Sequence, residues 1–221
     1  MSEPGQPTRR SSVSAVLAGD AVVVAPRLLG AVVHGRGVSV RLTEVEAYRG
    51  VGDDPGSHAF RGQTPRTAPM FGAAGTLYVY LSYGMHRCLN LVTGEPGVAS
   101  AVLVRAGEVV SGLERARARA LAGRVPRADG RGPAVADRDL ARGPARLARA
   151  LGVTLDDDGR MLGDGAVDLE PAAGLVPEIA TGPRVGVAHP GGGDAYPWRF
   201  WIPGDPTVSP YRPGRGVTPA R

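Results

Sequence analysis

Period-two alternation of apolar and polar positions marks the first half of the chain. Ala31–His34 and Val38–Tyr48 read as two strands, with Gly35, Arg36 and Gly37 as the hairpin turn between them. Val38, Val40 and Leu42 share one face, and strict alternation carries Glu44, Glu46 and Tyr48 onto that same side. Acid and aromatic groups then follow apolar ones, as at the end of a strand entering a cleft. Thr76–Ser82 alternates again, with Leu77, Val79 and Leu81 on one side and Tyr78 and Tyr80 on the other. Tyr83–His86 makes the turn, Arg87–Val92 returns, and Ala101–Val104 closes the meander at Arg105.

Helical spacing appears between these runs and after them. Asp20 is placed to cap a helix through Leu29, kinked at Pro26 and stopped at Gly30. Glu108–Ala122 reads as a helix with Leu113, Ala116 and Ala120 inward and its arginines mostly outward. Asp137 is placed to cap a further helical piece, which Gly143-Pro144 restarts and Gly152 ends. Short strands are expected at Val167–Leu169, Arg184–Val187 and Arg199–Ile202. The long Gly/Pro-rich connection from Arg49 to Ala74 has a length that favours a functional role. Residues 1–14 read as a disordered tail, 123–136 as a mobile loop and 211–221 as a flexible tail. The pattern predicts an α+β fold: a single mixed domain over residues 15–210, with a curved, largely antiparallel sheet and surrounding helices.

Composition narrows the class. The 221 residues, 43% hydrophobic, suffice for one domain with a real core. No apolar run approaches the roughly 18 residues of a membrane span, and the polar start carries no secretory signal. These features place the protein away from membranes, in the cytoplasm, or with the nucleoid if the source is bacterial. Cys88 is the only cysteine, which excludes an internal disulfide and a cysteine-based zinc site. No His/Cys/carboxylate set has metal-ligand spacing, so neither metal nor other cofactor is expected. The formal charge is +5, and all 26 basic residues are arginine. Compositional bias and a cationic surface for a polyanion both account for that.

Candidate chemistry concentrates between Glu44 and Asn90. Aromatics make up only 5% of the chain, yet Tyr48, Tyr78, Tyr80 and Tyr83 fall in this stretch with paired carboxylates and His58. Such a set suits a pocket for a flat, polar or cationic ring. The segments E-A-Y (46–48), Q-T-P-R (63–66), G-T-L-Y-V-Y (75–80), Y-G-M (83–85), C-L-N (88–90) and V-R-A (104–106) resemble the alkyladenine (3-methyladenine) DNA glycosylase family. So do D-R-D-L-A-R-G-P-A-R-L (137–147), R-V-G-V-A-H (184–189) and W-R-F-W-I-P-G (198–204), and the likeness runs from about Asp20 to Ser209.

That resemblance implies a monofunctional enzyme that flips a damaged purine from double-stranded DNA and hydrolyses its N-glycosidic bond. It implies Glu46 as general base, with Glu44 as a rival kept for a supporting role. Tyr48 and Tyr80 correspond to the residues that sandwich the flipped base, and His58 to the one that contacts its edge. Asn90 corresponds to the residue that excludes guanine's exocyclic amine. Tyr83 corresponds to the wedge of a DNA-inserting β-hairpin, flanked by Met85, with His86 departing from relatives that carry another aromatic there. Arg105 resembles an arginine near the lesion's phosphate and the pocket floor, and Arg66 and Arg184 are further phosphate candidates. His189 matches a family position without an assigned role. A monomer is expected. Two other classes compete: a non-catalytic binder of lesions or bent DNA, and a hydrolase of free nucleosides. Glu46 argues against the first, and Tyr83 with the arginine excess against the second.

Overall fold

The computed structural model describes residues 9–123, 134–174, 176 and 178–218. Its centre is an antiparallel sheet of eight strands. They are β1 (Val32–Gly35), β2 (Val38–Arg49), β3 (Leu77–Ser82), β4 (His86–Val92), β5 (Ser100–Ser111), β6 (Val167–Glu170), β7 (Ala180–Gly182) and β8 (Arg199–Trp201). Neighbours run β3-β4-β5-β2-β1-β6, and β8 pairs with both β2 and β7. The spine is β2. One of its edges follows β5 from Ser39 to Arg49, while the other takes β1 first and β8 at Glu44–Glu46. The curled sheet and its few helices form the single α+β domain expected from the pattern.

Among the described residues, four α-helices flank the sheet: α1 (Arg9–Leu17), α2 (Ala21–Val24), α3 (Leu113–Leu121) and α4 (Pro144–Leu151). The Asp20 side chain accepts the Val22 N–H to open α2, and a 3₁₀ turn over Ala25–Leu28 absorbs Pro26. Gly152, at φ 72°, closes α4 where an L side chain would be strained. Leu147, Ala148 and Leu151 of α4 are buried against β4 and β5, in a core shared with Val40, Leu42, Val45, Leu89 and Val104. A second, smaller cluster sits beneath the aromatic residues. There Ala59 and Met70 of the long connection meet Tyr78, Val92, Ala99 and Ala101, with Tyr48, Phe71 and Tyr80 packed on them.

Four expectations change. Val109 pairs with Val40 and Ser111 with Ser39, so β5 extends to Ser111 where a helix was expected from Glu108. Gly112, left-handed at φ 75°, makes the break, and α3 starts one residue later. Residues 9–14, assigned to a disordered tail, lie in α1, whose Val13 and Leu17 are buried. No strand forms at Arg184–Val187, where Gly186 turns at φ 73°; Ala180–Gly182 takes the place beside β8 instead. Residues 211–218, assigned to a flexible tail, are held against the 186–189 loop by backbone hydrogen bonds. The rest of both tails (1–8 and 219–221) and 124–133 of the expected loop lie outside the described residues.

Leu147 has no exposed surface, so Leu147→Ala should cost about 2–5 kcal/mol of stability. Urea unfolding measures this, and a loss below about 1 kcal/mol would contradict the core as described.

Candidate active site

A pair of offsetting irregularities in β2 and β5 aims the acidic residues. Leu42 pairs with Gly107 and Glu44 with Ala106, which leaves Thr43 as an extra residue on β2. Glu44 to Val45 then steps from Ala106 to Val104, which leaves Arg105 as an extra residue on β5. Each bulge reverses the alternation of its strand. Val45 and Ala47 therefore join Leu42 in the core, while Glu44, Glu46 and Tyr48 turn to the opposite face. The expectation that they continue the side of Val38, Val40 and Leu42 is thus corrected. Thr43 is satisfied by its hydroxyl contact with Thr207 at 2.8 Å.

The two carboxylates have different surroundings. Glu44 is fully buried and saturated: it accepts Arg105 Nε at 2.9 Å, Arg199 Nε at 2.7 Å, and the backbone N–H and hydroxyl of Ser209 at 2.7 and 3.0 Å. Glu46 is held by fewer groups. The Tyr48 hydroxyl donates to Oε2 at 2.9 Å and the Val185 N–H to Oε1 at 2.7 Å, with Arg105 Nε 3.5 Å from Oε1. Burial and the adjacent Glu46 charge push the Tyr48 phenol well above its usual pKa, so it stays a donor. Glu46, and not Glu44, lines the cavity, whose volume is about 620 Å³.

Tyr48, Tyr80, His58, Asn90 and Arg105 line that cavity too. The His58 ring stands edge-on to Tyr80 at 4.6 Å between centroids, and its Nδ1 lies 3.0 Å from the Tyr78 hydroxyl. Shielding by its surroundings and the charge of Arg66 hold the imidazole below its ordinary pKa, so it is neutral at pH 7. When Tyr78 donates to Nδ1, the Nε2–H of His58 is left as a donor. Asn90 is buried, with its amide Nδ2 donating to the Tyr78 carbonyl at 2.9 Å. Cys88 is a buried strand residue. Among the described residues, no three His, Cys, Asp or Glu side chains are grouped to hold a metal ion.

The β3–β4 hairpin ends in a tight turn. Met85 N–H donates to the Ser82 carbonyl at 3.1 Å, and Tyr83 and Gly84 both have positive φ, 51° and 68°. This is the primed turn geometry that matches strand twist. A left-handed tyrosine is strained by roughly 1–2 kcal/mol. Tyr83 is nonetheless 89% exposed, and Met85 71%. Tyr83 also borders the cavity.

The arginines separate sharply. Arg66 is exposed, with its guanidinium carbon 5.5 Å from the centre of the Tyr80 ring. Arg105 is 8% exposed and committed to Glu44. Arg184 corrects an expectation: it is fully buried and cannot reach a phosphate from there. It forms a two-point pair with Asp54 at 2.7 and 2.6 Å, donates to the carbonyls of Ala47 and Gly191, and stacks 4.5 Å from the centre of Tyr48. It thus clamps the long connection to the back of the aromatic wall. Sequence reasoning assigned no role to Asp54, Tyr78, Arg199, Ser209 or the Val185 N–H. Only Tyr78 had a local signal, its place beside Tyr80 in the alternation.

Removing one partner of a buried ion pair leaves an uncompensated charge. Asp54→Asn should therefore destabilise the protein by about 3–5 kcal/mol in urea titrations; a loss under about 1 kcal/mol would argue that Arg184 is not anchored this way.

Known proteins resemble this sequence. The pattern of the methylpurine-DNA glycosylase (MPG) family matches residues 15–206. A protein of Leifsonia xyli subsp. xyli named "Putative 3-methyladenine DNA glycosylase" is 53% identical over 201 residues, covering 86% of this chain and 87% of its own. Proteins of the same name from Cutibacterium acnes and Nocardia farcinica are 50% and 51% identical, covering 87% of this chain each and 96% and 88% of their own. With the match spanning most of the domain, the chain belongs to the methylpurine-DNA glycosylase family.

Proposed function

We propose that this DNA glycosylase extrudes an alkylated purine such as 3-methyladenine from duplex DNA and hydrolyses its N-glycosidic bond with water activated by Glu46. The observation that carries this reading is the station of Glu46. It is a buried carboxylate, fixed by a phenol and a backbone N–H, in the wall of the cavity that Tyr48 and Tyr80 also line.

The base enters between the phenol rings. Stacking on an aromatic side chain is worth about 1–3 kcal/mol per base, against a few kcal/mol to extrude it. A weakly paired damaged base is captured, and a well-paired one stays in the duplex. Tyr83, flanked by Met85, fills the gap left in the stack; its exposure and its strained turn fit a wedge. Asn90, fixed by its bond to Tyr78, rejects the exocyclic amine of guanine by collision. The neutral His58 offers a donor to the base edge.

As water bonds to the anomeric carbon, its proton passes to Glu46 and the C–N electron pair leaves with the purine. Alkylation at N3 or N7 makes the base cationic, so it departs neutral and needs no second acid of the kind ordinary glycosidases use. Glu44 is committed to two arginines and serves to hold Arg105 beside Glu46. The 221 residues include no lysine to form a Schiff base with the sugar, which supports a monofunctional hydrolase leaving an abasic site.

Base release and duplex binding, measured separately on lesion-bearing DNA, test the reading. Glu46→Gln should lose at least about 10²-fold in release and keep its affinity. No release by the unaltered protein from any alkylated, deaminated or etheno purine would instead make it a binder. Tyr83→Ala should weaken lesion-duplex binding several-fold without lowering the melting temperature; unchanged affinity would remove the wedge.

A further inference from the structure

The family match ends at residue 206, but the chain continues onto the wall of the cavity. Ser209 holds Glu44 through both its N–H and its hydroxyl. Beyond it, the Arg212 carbonyl accepts the Gly186 N–H at 2.8 Å and the Arg215 carbonyl accepts the His189 N–H at 3.0 Å. Contact between the two backbones is close: a Cβ at Gly214 would fall 1.8 Å from the Val187 carbonyl oxygen. The loop gripped in this way begins at Val185, whose N–H fixes Glu46. Residues 207–218 therefore form a strap laid against the loop that positions the carboxylate.

Arg212 sits on this strap. Of the two arginines that line the cavity, Arg105 is buried and committed to Glu44, whereas Arg212 is exposed. Among the described residues, the Arg212 guanidinium has no hydrogen-bonding or ion-pairing partner, while its backbone is pinned. An extruded nucleotide brings its phosphates to the cavity rim. Arg184 is buried with Asp54 and Arg105 with Glu44, so neither is free to meet them. A guanidinium on a fixed backbone suits two-point recognition of a phosphate.

We propose that Arg212 binds a backbone phosphate of the extruded nucleotide, an inference that rests on the base-flipping reading above. Among the described residues the exposed side chain makes no hydrogen bond or ion pair, so Arg212→Gln should melt like the unaltered protein. Affinities are compared by fluorescence anisotropy, in a Glu46→Gln background that prevents turnover, for a duplex carrying one ethenoadenine or hypoxanthine and for the same duplex undamaged, across a salt series. Arg212→Gln should weaken lesion-duplex binding about 5–10-fold and reduce the salt slope by about one, the signature of a lost phosphate contact. Binding of the undamaged duplex should change much less, and Arg212→Lys should recover most of the loss. If the unaltered Arg212 protein prefers the lesion duplex and Arg212→Gln matches it in affinity and slope, the assignment is wrong while base flipping stands. Equal weakening on both duplexes also overturns it, since Arg212 is then a general surface cation. Failure of the Arg212 protein itself to prefer the lesion duplex overturns the flipping reading and this inference together.

Discussion

Everything at this site depends on how the chain turns two acids away from its own core. A glutamate in a central strand would face either the hydrophobic layer, at a prohibitive desolvation cost, or open water. Paired bulges at Thr43 and Arg105 produce a third outcome. Local alternation reverses, and both carboxylates emerge on the face where the long connection has built a polar, aromatic cavity. The same irregularity that aims Glu44 and Glu46 sets Arg105 beside them, so the charges arrive with their compensation.

Compensation is distributed unequally between the two carboxylates. Glu44 is shared by two guanidiniums and Ser209, which fixes it within the fold. Arg184 and Asp54 neutralise each other behind Tyr48. Glu46 is left as the acid facing the cavity, steadied by Tyr48 and Val185 without being consumed by a short ion pair. One phenol, one N–H and a guanidinium at 3.5 Å hold its carboxyl, which leaves acceptor positions on both oxygens unoccupied by protein donors.

Much of this was legible in the residues themselves. Regular alternation located β2, β3 and β4, Asp20 announced the start of α2, and Gly152 the end of α4. The same rule failed where a bulge intervened, because strict alternation was carried across the shift of apolar phase between Leu42 and Val45. It failed again at Glu108–Ser111, where a helical-looking stretch is captured by long-range pairing with β2. Arg184 read from the sequence as a candidate for a phosphate contact; only packing reveals that it is sealed against Asp54. The Gly/Pro-rich end resembles a tail by composition, yet Gly214 is there to permit contact between two backbones. The resemblance to known glycosylases supplied candidate roles that composition alone left open.

The most direct measurement is a structure of the Glu46→Gln protein bound to duplex DNA carrying one ethenoadenine. The account predicts the damaged base between Tyr48 and Tyr80, Tyr83 in the vacated stack, and the residue 46 side chain within hydrogen-bond reach of a water facing the anomeric carbon. A base still stacked in the duplex, or a residue 46 side chain turned away from the sugar, would contradict it.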